Sequence, residues 1–351
     1  MKKLSIALIS SFIYATNITY ILHDKHAFTL KEDKSILSIE YQKVNDTIDV
    51  FNVKKSELKS NSFSSIGDLD GYKINFYYGL SNDSMILTHL KRQDIEYGSG
   101  KLINYNANFS YKNKFYEDEN KALSVDFGMI FNKGNNLKFK NKNYLSTLAK
   151  RFFDVKDVKI TNNSIGVIKK DNSTEILNLK EAPYIKISNL NDSSLFLSLN
   201  AEKIFNNFYL DFFVSGKYTH INTKIKAHII PKDEASKEKI SKYKLTKNLN
   251  RDESSIDIGF NTTFINKIFI TEFSYAYRRL FRSKDLDYVN YNHIINLDFT
   301  FPISNKTALF IGGKLMYRQF NGEIPYLYNK YSQTTFDHKY GYARIGAIFR
   351  F

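Results

Sequence analysis

Thr307-Ala-Leu-Phe-Ile-Gly-Gly-Lys-Leu-Met-Tyr-Arg-Gln-Phe320 repeats on a period of two. In an extended chain successive side chains point to opposite sides, so Leu309, Ile311, Gly313, Leu315 and Tyr317 share one face and Phe310, Gly312, Lys314, Met316 and Arg318 the other. One face is apolar and the other mostly polar. The same rule sorts Val289 to Phe301, where Tyr291, His293, Ile295, Leu297, Phe299 and Phe301 oppose Asn290, Asn292, Ile294, Asn296, Asp298 and Thr300. It also sets Ile256, Ile258, Phe260 and Phe264 against Asp257, Gly259, Asn261 and Thr263, and Phe269, Phe273, Tyr275 and Tyr277 against Glu272, Ser274, Ala276 and Arg278. A soluble sheet also shows one apolar face, but here the opposite face is too rich in Asn, Asp, Lys and Arg to form a dry core. The alternation predicts an all-β fold, a transmembrane antiparallel up-and-down β-barrel with lipid outside and a polar lumen.

Following this rhythm outward places strands near 35–44, 71–80, 85–98, 101–113, 121–132, 194–204, 208–222, 254–265, 268–282, 288–302, 307–320 and 337–351. That makes about twelve, an even number as in bacterial barrels, with ten to fourteen open. Met85 to Ser99 has no clean register, Thr47 to Asn52 suits an extension of the first strand, and Tyr184 to Leu190 is either a separate strand or the upper part of the sixth. Tight turns at Ser81–Ser84, Glu117–Asn120, Asn206-Asn207, Asn266-Lys267 and Ser304-Asn305-Lys306 are expected on the periplasmic side. The long Lys-rich connections, about 133–193 and 223–253, are expected to be extracellular loops. Within the first, Tyr144 to Phe153 has the composition and spacing of a short helix lying over or inside the barrel, although an ordinary packed surface loop is the preferred reading.

Residues 1–15 combine basic Lys2 and Lys3, an apolar run from Leu4 to Tyr14 and the small Ala15, the pattern of a secretory signal peptide. Residues 16–34 then form an N-terminal periplasmic segment and 35–351 the barrel. An N-terminal anchor fits less well, because Thr16, Asn17 and Thr19 interrupt the apolar run. No later stretch approaches the roughly 18 apolar residues of a spanning helix. Cys is absent, which removes disulfides and thiolate metal sites. Aromatics are abundant, with 29 Phe and 25 Tyr but no Trp, and suit strands and a membrane interface. The net charge of +15 is scattered over loops and alternate strand positions without a nucleic-acid motif, so no nucleic-acid partner is expected. Lys-rich loops instead suit outer-membrane lipid and the phosphates of lipopolysaccharide. Nothing in the sequence points to an oligomeric state.

The last strand, Tyr340-Gly-Tyr-Ala-Arg-Ile-Gly-Ala-Ile-Phe-Arg-Phe351, resembles the C-terminal signal of the Gram-negative outer-membrane β-barrel superfamily. Arg344, Gly346, Phe349 and Phe351 occupy the polar, Gly, apolar and terminal aromatic positions of that signal. The resemblance implies recognition of the closing strand by the barrel assembly machinery. It covers this strand in detail and names a location rather than an activity. By alternation, Phe351, Phe349, Ala347, Ile345 and Ala343 point into lipid, and the strand is expected to pair with the first one near Ile36 to Val44.

The inward list is strongly charged. Asp126, Glu202, Asp211, Glu272 and Asp298 gather toward the short-turn end, and Lys217, Arg278, Lys314, Arg318 and Arg344 lie higher. Two readings follow: the charges pair across strands and plug a narrow barrel, or they line a water-filled, anion-preferring constriction. The function read from this face is a porin-like channel for small solutes. A non-conducting surface barrel in adhesion or envelope structure is the alternative, and a lipid-modifying enzyme comes third. No catalytic constellation supports the third: His220 is followed by Ile221 and Asn222, His293 by Ile294 and Ile295, and Asp337 and His338 are adjacent in a strand and point apart. No zinc spacing or calcium loop occurs, and no cofactor or metal is expected.

Overall fold

The computed structural model describes residues 27–49, 66–97, 100–140, 142–266, 268–283, 286, 289–331 and 338–351. The signal peptide, most of 16–34, part of the proposed extension at Thr47–Asn52, Lys267 and Asp337 lie outside the described residues. The wall is a closed antiparallel barrel of twelve strands. In chain order these are β1 (Ser35–Val44), β2 (Ile66–Ser81), β3 (Ser84–Tyr97), β4 (Gly100–Glu117) and β5 (Lys121–Gly134), then β10 (Tyr184–Phe205), β11 (Phe208–His228), β13 (Arg251–Ile265), β14 (Ile270–Phe281), β15 (Tyr291–Pro302), β16 (Thr307–Met316) and β17 (Tyr340–Arg350). Between β5 and β10 lie β6 (Leu137–Phe139), helix α1 (Lys142–Phe153), β7 (Asp157–Ile160), β8 (Ser164–Ile168) and β9 (Thr174–Asn178). Helix α2 (Glu234–Ser241) and β12 (Thr246–Asn248) follow β11.

Each strand pairs with its neighbour in sequence along the wall, and closure comes from β17 against β1, with Ile36 opposite Arg350 and Lys43 opposite Ala343. Phe351 and Ser35 exchange backbone hydrogen bonds at 2.9 and 3.2 Å, which leaves no open edge at the seam. The third strand, which has no clean register in sequence, runs in continuous pairing with β4 from Ser84 to Tyr97, because the ladder rather than the side-chain pattern sets its place. Tyr184 to Leu190 is the upper part of β10. A bulge between Ser188 and Asn191, with Asn189 at φ 55°, marks where the β10–β11 hairpin rises out of the wall.

Alternation sorts the strands as the sequence does. Outside, Phe76, Phe109, Phe127, Met129, Leu195, Leu197, Phe212, Ile258, Phe299, Ile311 and Ile345 are each more than a third exposed and form an apolar belt. Inside, Ser38, Glu40, Asn75, His89, Ser124, Asn200, Asn261, Asn292 and Thr300 are buried. Short turns gather at one end together with residues 27–34 and Phe351. One of them is the two-residue hairpin at Asn206-Asn207, where Asn206 takes φ 51° as such turns require. Among the described residues, those of 317–331, 229–250 and the stretches 135–140 and 142–183 gather at the other.

The segment preferred as an ordinary loop folds instead into a cap. Residues 142–153 form α1 because Leu145, Leu148 and Phe152 bury one stripe against the barrel mouth. Lys247 donates to the Phe152 carbonyl at 2.6 Å and satisfies an open C-terminal acceptor of that helix. The three strands β7–β8–β9 form a separate sheet whose Val158, Ile165, Val167 and Leu177 pack with Ala149 and with Ile240 of α2. Asp233 caps α2 by accepting from the Ser236 N–H at 2.7 Å, and a bridge between Leu179 and Pro231 joins the two long connections. Lys169 lies 2.5 Å from Glu175 and, with help from the Tyr243 hydroxyl, holds that carboxyl below its ordinary value. Burial and the same carboxylate push Tyr243 up to about 12.

Candidate functional site

Twelve strands spaced about 4.8 Å apart and tilted about 40° close on a backbone radius of roughly 12 Å, too wide for wall side chains alone to fill. Something else must occupy the bore, or it holds water. In this protein the connection from β16 to β17 turns inward. Phe320 and Gly322 take φ 48° and 79°, and the Glu323 and Ile324 N–H groups donate to the Phe320 carbonyl at 2.9 and 3.0 Å. Gly322 suits this point twice over: its backbone is left-handed, and a Cβ there would press on the Arg278 side chain. Phe320, Ile324, Tyr326, Leu327, Tyr328 and Tyr331 are then buried in one apolar core with α1, β6 and the projecting ends of β10 and β11.

The loop is bound to strands around most of the circumference. Lys217 on β11 donates to the Gly322 carbonyl at 2.6 Å, and Lys314 on β16 meets Glu323 at 2.5 Å. Arg251 on β13 donates to the Pro325 carbonyl at 3.0 Å. The Tyr326 N–H donates to Asp192 on β10 at 3.2 Å, and its hydroxyl donates to Asn104 on β4 at 2.7 Å. Asn292 on β15 donates to the Arg318 and Asn321 carbonyls. Beneath the loop is a cavity of about 100 Å³ bordered by Asn108, Asp126, Ser215, Lys217, Asp257 and Arg278. At the short-turn end a second apolar layer packs Leu30 against Ile36, Tyr77, Met85, Phe310 and Ile348, and the Ala27 N–H reaches Asp211 at 3.4 Å.

The charged residues named from the sequence fall as follows. Asp126, Glu202, Asp211, Glu272 and Asp298 are all buried inside. Arg344 grips Asp298 through two guanidinium contacts, one of them Nε to Oδ1 at 2.7 Å, and lies 4.0 Å from Glu40. Arg278 binds Asp257 in a fork at 2.8 and 2.7 Å. Lys112, fully buried, stands 3.9 Å from Asp126. Glu202 sits across from Asp211, and Glu272 across from Asp298. Gly346 leaves room for the Phe310 ring, while Phe351 lies exposed on the outer wall.

Arg318 departs from the expected face. Strand β16 ends at Met316, so the alternation that puts Arg318 inside stops two residues short of it. Its guanidinium lies on the outer wall over the rings of Tyr291 and Tyr317, 4.9 and 5.0 Å from their centres. Residues that sequence reasoning passed over include Glu40, Glu253 with Arg282 at 2.8 Å, and Glu323. Parity alone finds Glu40 and Glu253. Glu323 is on a loop, where parity has no meaning.

No protein-family model matches the sequence, and no curated protein matches it. Among solved structures, the chain is similar to the translocator domain of the autotransporter NalP from Neisseria meningitidis, at 8% identity over 100% of this chain and 95% of that one, with a TM-score of 0.49. It is also similar to the TodX monoaromatic hydrocarbon channel deltaS2 mutant, at 11% identity, 92% and 90% coverage and a TM-score of 0.41, and to the NanC porin, at 9% identity, 90% and 98% coverage and a TM-score of 0.41. Identities this low say nothing of ligand or activity.

Proposed function

We propose that this chain is an integral outer-membrane barrel that does not conduct solutes in its folded resting form and that presents the Lys-rich cap at the cell surface. The observation that carries the reading is the 319–329 part of the β16–β17 loop, buried across the mouth and bonded to the lumen bases Lys217 and Lys314. Membrane insertion is supported by the apolar belt, a ring of large apolar side chains each more than a third exposed, such as a soluble protein does not leave bare. Short turns toward the periplasm and the cap toward the outside follow the usual asymmetry of such barrels. Export behind residues 1–15, and recognition of β17 through Arg344, Gly346, Phe349 and Phe351 by the barrel assembly machinery, belong to the same reading. No catalytic step is part of it.

A gated channel for small solutes is the second reading. The 100 Å³ cavity favours it, as do loop-to-wall contacts that are hydrogen bonds and ion pairs, the kind water can replace. With the loop displaced, Lys217, Arg278, Lys314 and Arg344 would bias the passage toward anions. The test is planar-bilayer recording of the refolded protein, with heat-modifiable gel mobility as the check on folding. Silence from the wild type and ion flow after removal of residues 319–329 support the closed barrel. Steady conductance by the folded wild type refutes it and favours the channel.

A further inference from the structure

On the outer wall of β14, β15 and β16, toward the cap, five rings form one continuous patch. Tyr277 stacks on Tyr291 with ring centres 6.4 Å apart, and Tyr291 stacks on Tyr317 at 6.2 Å. His293 meets Tyr291 and Tyr317 edge-on at 5.6 and 5.7 Å, and its Nδ1 pairs with the Tyr275 hydroxyl at 2.8 Å. Tyr275, Tyr277, Tyr291 and His293 belong to the outward parity that continues downward through Ile295, Leu297 and Phe299, and Tyr317, just past β16, is exposed beside them with its N–H on the His293 carbonyl at 2.9 Å, so the patch stands at the upper edge of the apolar belt. Rings with a polar tip favour this boundary between hydrocarbon and headgroups.

Positive charge is laid on top of the rings. The Arg318 guanidinium covers Tyr291 and Tyr317 and donates to the Tyr291 hydroxyl at 3.0 Å, and Lys339 lies 5.8 Å from the Tyr317 ring centre. Asn292 holds the Arg318 backbone from both sides, accepting from its N–H at 2.9 Å and donating to its carbonyl at 2.9 Å. The guanidinium is therefore placed before any ligand arrives, with Nη2 held by the Tyr291 hydroxyl and its charge seated over two rings. A preplaced guanidinium of this kind attracts the oxygens of a phosphate.

We infer that this wall binds the phosphate of an anionic lipid headgroup in the surrounding leaflet, with Arg318 and Lys339 as the charge and the Tyr275–Tyr317 ring patch as the seat. The inference rests on the membrane reading above, because the patch meets lipid only if the belt is embedded. Its acyl chains would run down over Ile295, Leu297 and Ile311.

The experiment uses the refolded chain in zwitterionic detergent. The probes are an acylated glucosamine disaccharide phosphorylated at both ends and the same lipid with its phosphates removed, with retention read by native mass spectrometry. The wild type should hold the phosphorylated lipid about tenfold more tightly than the other, and Arg318→Ala with Lys339→Ala should erase that preference. Arg318→Lys, which keeps the charge but not the planar group seated on the rings, should fall between them and carries the test if the alanine pair fails to give heat-modifiable barrel. Arg92→Ala on the far wall, at β3, should change nothing. Equal affinity for both lipids, or an unchanged preference in the alanine pair, overturns the site. A wild type with no heat-modifiable form would instead overturn the membrane reading, whereas a folded wild type blind to phosphate overturns this site alone.

Discussion

Arg344→Met breaks the buried ion pair between Arg344 and Asp298. Asp298 is fully buried and is held by two guanidinium contacts, and the Arg344 side chain is itself only 10% exposed, so solvent screens the pair little. Removing one partner of such a pair leaves an uncompensated carboxylate and costs about 3–5 kcal/mol. With a slope of about 2 kcal/mol per molar, the urea midpoint should fall by roughly 2 M. Replacing both partners, as in Arg344→Met with Asp298→Leu, removes the stranded charge, and stability should return to within about 1.5 kcal/mol of the wild type. Glu40 does not spoil the comparison, since it keeps the Gln42 amide at 2.6 Å and the nearby Lys73 and Lys91. The assay is urea unfolding in detergent, followed by heat-modifiable mobility. A single variant as stable as the wild type would refute the reasoning, because it would mean that water already solvates Asp298. A double variant no better than the single one would show that packing rather than charge is at stake.

Three further outcomes are expected. Tyr326→Phe removes the hydroxyl that reaches the buried Asn104 amide at 2.7 Å, and should cost about 1–2 kcal/mol and raise protease nicking within 317–331; equal protease resistance would argue that the loop is held by its apolar side chains alone. Gly312→Ala puts a Cβ against both the Asp298 carboxylate and the Leu297 carbonyl, so it should destabilise by about 1–3 kcal/mol, as unfolding midpoints would report; an unchanged midpoint would argue that the wall there yields freely. In the cap, the folded Glu175 carboxyl lies below its ordinary 4.5, so its link to Lys169 and Tyr243 stabilises fully above that value and is lost as pH falls through the lower folded one. Amide exchange in β8 and β9 should therefore accelerate below about pH 4.5 in the wild type and show no such step in Glu175→Gln.

The barrel was legible in the sequence because its physics is local. Each strand places successive side chains on opposite sides, so Leu309 and Ile311 against Phe310 and Lys314 declare their faces without knowledge of any neighbour. Parity puts Asp126, Asp211, Glu272 and Asp298, all buried, on one face with Lys217, Arg278, Lys314 and Arg344, and its reach ends before Arg318 because β16 stops at Met316. Nothing local states which acid meets which base: Arg278 binds Asp257 because β13 and β14 pair Asp257 opposite Arg278, and Arg344 reaches Asp298 across β16 over a glycine. The fate of the lumen was equally out of reach. Residues 319–329 follow no strand period, and they lie inside because a twelve-stranded wall is too wide for its own side chains and because Lys217, Arg251, Asp192 and Asn104, from four separate strands, supply partners for the loop there. Composition and alternation decide that there is a lumen; only the closing of the sheet, which brings those four strands around one loop, decides that it is filled.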